Sequence, residues 1–122
     1  MLRIGVDMLD VARVQQTMLR HGERFYTRFF TENERQQCEG QPQRLAVRIA
    51  AKEAVAKALG TGIGAVSWVE IEIEGDQRGR PSLRLHGNAA RLAAALGLTA
   101  WEVSLSHTAD QVIAFVVATS AP

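Results

Sequence analysis

The alanine-rich run from about Gln43 to Leu59 constrains this chain more than any other stretch. Gly40-Gln41-Pro42 separates it from what precedes, and Gly60 stops it, so it reads as one long helix. At about 100° per residue, Glu53 and Lys57 fall on one face, with Ala46 and Ala50 beside them. Arg48 and Lys52 form a second polar stripe. Apolar residues fill the arcs between the two stripes. A helix that is apolar on two sides sits at the centre of its domain. Glu53 then lies among methyl groups, where a carboxylate needs a partner. An ordinary Glu53–Lys57 surface pair and a metal or phosphate role both satisfy that requirement.

The chain has 122 residues, which fits a single domain over 1–122. So small a core leaves little room for a deep cleft, and a site shared between subunits would solve that problem. The formal net charge of +1 gives no indication of a nucleic-acid or membrane partner. Cys38 is the one cysteine, which excludes an intrachain disulfide and argues against a zinc cluster. The start MLRIGVD lacks a signal-peptide pattern, and no apolar run approaches the ~20 residues that span a bilayer. A cytoplasmic protein is expected.

Residues 2–9 alternate, with Ile4, Val6 and Met8 set against Arg3, Gly5 and Asp7, which is a strand pattern. Asp10 is positioned to cap a helix over about 11–20 that ends at His21-Gly22. A short helical stretch carries Phe25, Phe29 and Phe30. Thr31-Glu32-Asn33-Glu34 has the form of a capping box for a helix through about Glu39. After the long helix come a glycine loop, a strand with Val69, Ile71 and Ile73 on one face, a turn over 75–81, and a return strand with Leu83 and Leu85. A short helix over Asn88–Leu96 and two strands, 103–106 and 112–118, complete the chain. The order is taken as βαααββαββ. It predicts an α+β fold with an antiparallel three-strand sheet and helices on one side.

Asp7 interrupts an otherwise apolar strand, where acids are disfavoured. It reads either as a solvated edge residue or helix cap, or as a carboxylate aimed at a site. One strand Asp and one helix Glu are a suitable inventory for magnesium, which binds one or two carboxylates and fills its shell with waters and phosphates. Gly60-Thr61-Gly62-Ile63-Gly64-Ala65 matches a loose dinucleotide pattern, but it follows a helix rather than a strand, so that reading fails. The loop is either a helix cap or a source of backbone N–H groups for a phosphate. Ser106, His107 and Asp110 lack the sharp glycine-flanked nucleophile turn of a hydrolase. Hydroxyls and an imidazole at a strand end suit hydrogen bonding to a phosphate or a base edge. Arg13, Arg20, Arg24 and Arg28 lie near Met18, Phe25 and Phe29, opposed only by Glu23. They form either a solvated face or a docking surface for an acidic partner.

Five segments, in order, resemble the holo-acyl-carrier-protein synthases, the small trimeric branch of the phosphopantetheinyl transferases. They are Ile4-Gly5-Val6-Asp7 with Arg13 downstream, Phe30-Thr31-Glu32-Asn33-Glu34, Arg48 through Gly62, Gly79-Arg80-Pro81, and Val103 through Thr108. Ile49 and Val47 depart from the Phe and Gly frequent in the family, and Gln111-Val112-Ile113 from a region often richer in alanine.

The resemblance implies transfer of 4'-phosphopantetheine from coenzyme A to a serine of apo acyl carrier protein. It implies magnesium on Asp7 and Glu53, with Lys57 near the pyrophosphate and the attacking serine. Arg48, Lys52, Gly60, Thr61, Gly62, Ser106, His107 and Thr108 would line the coenzyme A site. Pro81 of a neighbouring subunit would lie against the adenine. The family's homotrimer holds each site between two subunits, and Arg13, Met18, Arg20, Arg24, Phe25 and Arg28 would receive the carrier protein. Glu53 and Lys57 both stand as candidate bases. A coenzyme A binding module without catalysis, or a purely structural oligomer, are the rival classes.

Overall fold

The long helix is the axis on which the molecule is built. In the structure, a computed structural model that describes residues 1–75 and 78–120, it spans Pro42–Leu59 (α4). Pro42 stands in its first turn, where a missing N–H costs nothing. Gly60 closes it in the left-handed region, φ 83°. Ala46, Ala50, Ala51, Ala54, Ala56 and Ala58 are all buried. Their small side chains let neighbours approach α4 from several directions at once.

Ahead of α4 come β1 (Leu2–Asp10), α1 (Val11–His21), α2 (Glu23–Phe29) and α3 (Glu32–Cys38). The aromatic stretch is thus a helix of its own. Among the described residues four helices precede the next strand, one more than the expected order. A 3-10 turn, Trp68–Glu70, leads into β2 (Ile71–Gly75). Val69 lies in that turn rather than in the strand. Then follow β3 (Pro81–Leu85), α5 (Gly87–Ala95), β4 (Ala100–His107) and β5 (Gln111–Thr119). The expected turn over 75–81 includes Asp76 and Gln77, which lie outside the described residues.

The fold is α+β, with an antiparallel three-strand sheet in the order β1-β5-β4. β2 and β3 pair separately as an antiparallel hairpin. α4 packs on one face of the sheet, chiefly against β1 and β5. Val112, Ala114, Val116 and Ala118 of β5 are buried beneath it. Among the described residues the other face carries no helix, and it exposes Leu2, Ile4, Val6, Met8 and Phe115. The apolar side of β1 therefore points away from the core, and its Gly5, Asp7 and Leu9 side points toward α4.

Gly5 explains that inversion. A Cβ there would overlap the backbone carbonyl of Ala54. Only glycine lets the strand lie this close to the helix, so the sparse side of β1 faces inward. Asp10 stands at the N-terminus of α1 but makes no side-chain cap bond. Its carboxylate accepts from Gln111 Nε2 at 3.0 Å instead. Thr31 and Glu34 do form the reciprocal capping box of α3.

Candidate active site

The contact of β1 with α4 at Gly5 brings Asp7 and Glu53 to one cleft of about 370 Å³. Leu9 and Ile49 wall it from the strand and the helix, Val14 and Thr17 from α1, and Phe25 and Phe29 from α2. Asp7 is 17% exposed and is neither a solvated edge residue nor a cap. Its Oδ1 accepts from Lys57 Nζ at 3.2 Å, and the same ammonium donates to the Val6 carbonyl at 2.9 Å. Asp7 Oδ2 is buried and has no hydrogen-bond partner among the described residues. Such an atom carries a desolvation cost that only a donor or a cation offsets. Burial, and secondarily the negative Asp7, hold the Glu53 carboxyl above the ordinary carboxylate range, while Lys57 pulls the other way. Lys57 and Arg13 set two positive charges against the two carboxylates of this cleft.

Arg13 lines the same cleft from α1. It thus adjoins the carboxylates as well as the arginine-rich surface. Arg20, Arg24 and Arg28 are exposed, and Met18 is half-buried. Glu23, the one acid of this stretch, is held by Arg35 through two bonds of 2.7 and 2.9 Å. Phe25 differs from expectation. At 2% exposure it belongs to the core, in ring contact with Tyr26, Phe29 and Phe30. An aromatic flanked by arginines reads as surface in the sequence, but α2 turns this one inward.

The second stripe of α4 faces away from the cleft. Lys52 is fully buried, and its three N–H groups go to Glu34 Oε1 (2.7 Å), the Trp68 carbonyl (2.9 Å) and the Ile71 carbonyl (2.6 Å). Lys52 therefore has no donor left for coenzyme A, and its expected place in that site is corrected. Burial pushes its ammonium below the ordinary lysine value, against the opposing pull of Glu34. Glu34 Oε2 also accepts from the Ile73 N–H at 2.9 Å, which ties α3, α4 and β2 together. Arg48 serves the same seam through the Ile73 carbonyl and Gln37 Oε1. The N–H groups of Gly60, Thr61 and Gly62 turn back onto the Lys57 and Ala56 carbonyls. They cap α4 rather than presenting themselves to a phosphate.

Ser106, His107 and Thr108 line a small cavity of about 120 Å³ at the end of β4. Gln43, in the first turn of α4, reaches His107 and Thr108, whereas Gly60 follows the last turn. One chain thus separates the glycine loop from the Ser106–Thr108 cluster by about 25 Å of helix. Pro81 lies in a third place, a groove between β3 and β4 beside Trp101. Sequence reasoning missed Leu9, Val14, Thr17 and Phe29 as cleft walls. Their apolar or neutral side chains carry no chemical signal, and only the crossing of α1, α2 and α4 gathers them. Ile49, singled out beside the site, does line it.

A strand Asp that is paired with a lysine through one oxygen and unpartnered at the other, beside a helix Glu resisting ionisation, forms a compact carboxylate centre on an α+β scaffold. Over residues 3–116 the chain matches the 4'-phosphopantetheinyl transferase superfamily, and it belongs to that family. It is 50% identical over 124 residues to a holo-acyl-carrier-protein synthase of Herpetosiphon aurantiacus, covering 96% of this chain and 98% of that one. The holo-acyl-carrier-protein synthase structure from Neisseria meningitidis superposes with a TM-score of 0.87 at 37% identity, covering 96% and 97% of the two chains. That from Helicobacter pylori, in complex with coenzyme A, gives 0.87 at 30% identity, covering 95% and 99%.

Proposed function

We propose that this chain is a single catalytic domain that moves 4'-phosphopantetheine from coenzyme A to a serine hydroxyl of an apo acyl carrier protein. The observation that carries the reading is the buried, unpartnered Asp7 Oδ2 beside a Glu53 whose ionisation burial and Asp7 both oppose. That donor set fits a hard divalent cation, which takes one or two carboxylates and leaves other positions for phosphate oxygens. Asp7 and Glu53 would hold magnesium. When bound, the ion supplies neutralisation of the pyrophosphate charge.

The chain's own residues supply the rest. The serine oxygen forms a bond to the β-phosphorus of coenzyme A. The bond from that phosphorus to the bridging pyrophosphate oxygen breaks, and its electron pair leaves with 3',5'-ADP. Glu53, beside Asp7 in the cleft, is positioned to take the serine proton. Lys57, held against Asp7 and the Val6 carbonyl, offers positive charge to the pyrophosphate. Leu9, Ile49 and Phe29 keep water from the attacked phosphorus, since such transfer depends mainly on positioning and electrostatics.

A homotrimer with sites between subunits accompanies this reading. The helix-free sheet face, with Leu2 66%, Ile4 60% and Met8 57% exposed, is an apolar surface of the kind that partners cover. A second chain would also bring Pro81 or Ser106–Thr108 to a carboxylate cleft they do not share within one protomer. Arg13, Arg20, Arg24 and Arg28, left free by the Glu23–Arg35 pair, suit an acidic carrier protein. Among the described residues no helix is long and apolar enough to cross a membrane, and we place the enzyme in the cytoplasm. Incubation with coenzyme A, magnesium and apo carrier protein tests the proposal. The carrier should gain the phosphopantetheine mass, and an unchanged carrier mass refutes transfer.

A further inference from the structure

The cavity at the end of β4 contains one hydrogen-bond arrangement with a chemical consequence. Gln43 Nε2 lies 3.1 Å from His107 Nδ1 and 3.0 Å from the Thr108 carbonyl oxygen. An amide nitrogen can only donate. The amide's orientation is fixed by the second bond, because a flipped Gln43 would set its own oxygen against the Thr108 carbonyl. His107 Nδ1 therefore accepts. A neutral imidazole that accepts at one nitrogen carries its proton on the other. No hydrogen bond engages Nε2 among the described residues, and the ring is exposed. Thr108 Oγ1 already accepts from the Asp110 and Gln111 N–H groups. Its hydroxyl proton is thus free to point outward, beside the exposed Ser106.

We infer that Gln43 is a positioning residue that locks His107 in its Nε2–H tautomer, so that the cavity presents a fixed N–H donor to an anionic phosphate oxygen of the nucleotide. The inference rests on the reading that Ser106–Thr108 contact coenzyme A. Without Gln43 a share of the rings would turn a lone pair toward that oxygen and repel it. Among the described residues the cavity lining contains no Asp, Glu, Lys or Arg side chain. A neutral donor set of correct polarity is therefore what this end of the site offers.

The test uses the full chain labelled with ¹⁵N, at about pH 8, where an ordinary imidazole is neutral. Long-range ¹H–¹⁵N spectra should show His107 as the Nε2–H tautomer. Gln43→Ala should give a mixture. Gln43→Glu, which can only accept at that position, should move the proton to Nδ1. Calorimetry with 3',5'-ADP should show about three- to tenfold weaker binding for Gln43→Ala, the net worth of one hydrogen bond. In a His107→Ala background the Gln43 change should have no further effect. An unchanged tautomer pattern in both Gln43 variants overturns the inference. So does a changed pattern with unaltered 3',5'-ADP affinity while His107→Ala weakens binding. If His107→Ala also leaves 3',5'-ADP affinity unaltered, the assignment of this cluster to coenzyme A falls with it.

Discussion

Replacing Lys52 by methionine tests whether the buried stripe of α4 is structural. Methionine keeps the length and apolar stem but removes the ammonium. Glu34, which is fully buried, then loses its 2.7 Å partner, and the Trp68 and Ile71 carbonyls lose donors at 2.9 and 2.6 Å. Breaking a buried ion pair from one side costs about 3–5 kcal/mol. A proton on the stranded carboxylate limits that cost. At pH 7, protonating a carboxyl of ordinary acidity takes about 3.7 kcal/mol. The Ile71 carbonyl, whose bond is buried, adds about 1–3 kcal/mol, whereas water can replace the lost donor at the part-buried Trp68 carbonyl. A loss of about 4–6 kcal/mol follows, a large part of the ~5–15 kcal/mol that folds a domain. Urea unfolding monitored by circular dichroism measures it.

A second signature has a definite sign. Folded Lys52→Met retains a proton on Glu34 that its unfolded chain has released at neutral pH. Its deficit therefore shrinks on acidification by about 1.4 kcal/mol per pH unit. Adding Glu34→Gln removes the stranded charge and should recover part of the loss. If Lys52→Met unfolds within about 1 kcal/mol of wild type yet loses coenzyme A affinity, Lys52 is a ligand residue and the structural assignment is wrong.

Asp7→Ala or Glu53→Ala should lower kcat/KM on the order of 10²-fold or more at millimolar magnesium, because each removes half of the proposed protein ligands; near-normal turnover in either refutes the metal assignment. Glu53→Gln should abolish magnesium binding by calorimetry yet raise the metal-free Tm at neutral pH. A carboxyl whose folded-state pKa is raised loses stability as pH climbs through that range, and the amide never ionises. Val6→Asp, on the exposed sheet face and opposite Phe115 in the β1–β5 register, should leave the fold intact but reduce the mass seen by light scattering from three chains to one. Arg20→Glu should raise the carrier-protein KM about tenfold and flatten its salt dependence while sparing coenzyme A. Arg13→Glu should affect turnover as well, because Arg13 lines the carboxylate cleft.

The elements that organise this molecule are legible because each is marked by local chemistry. Gly60 ends α4, Thr31 and Glu34 open α3, and Asp7 and Glu53 stand out as acids in apolar company. What the sequence hides is direction. The alternation in β1 reports a strand but not which side faces α4, and a rule that buries the apolar side chooses wrongly here. Lys52 and Glu53 are neighbours in sequence, yet the helix sends one into the α3–β2 seam and the other to the cleft. Phe25, among arginines, looks like surface until α2 folds its ring inward. In each case the deciding contact is made by another element, such as Ala54 against Gly5 or the Trp68 and Ile71 carbonyls against Lys52, and lies far away in the chain.

Gly5 gives this dependence its sharpest consequence, because one missing Cβ sets both the packing and the chemistry. Alanine at position 5 would press its methyl into the Ala54 carbonyl, which is helix backbone and cannot rotate away. The strand must then retreat from α4, at a cost of about 1–3 kcal/mol for overpacking. That same retreat separates Asp7, two residues along β1, from Glu53, one residue before Ala54. Asp7 and Lys57 sit on opposite sides of the seam, so their 3.2 Å contact lengthens as well. Gly5→Ala should therefore lose magnesium affinity and kcat even at temperatures where circular dichroism shows it fully folded. Raising magnesium should restore part of the activity, which it would not do for Asp7→Ala. A Gly5→Ala enzyme that is merely less stable, with wild-type magnesium dependence, would show that the two carboxylates are held by something other than the approach of β1 to α4.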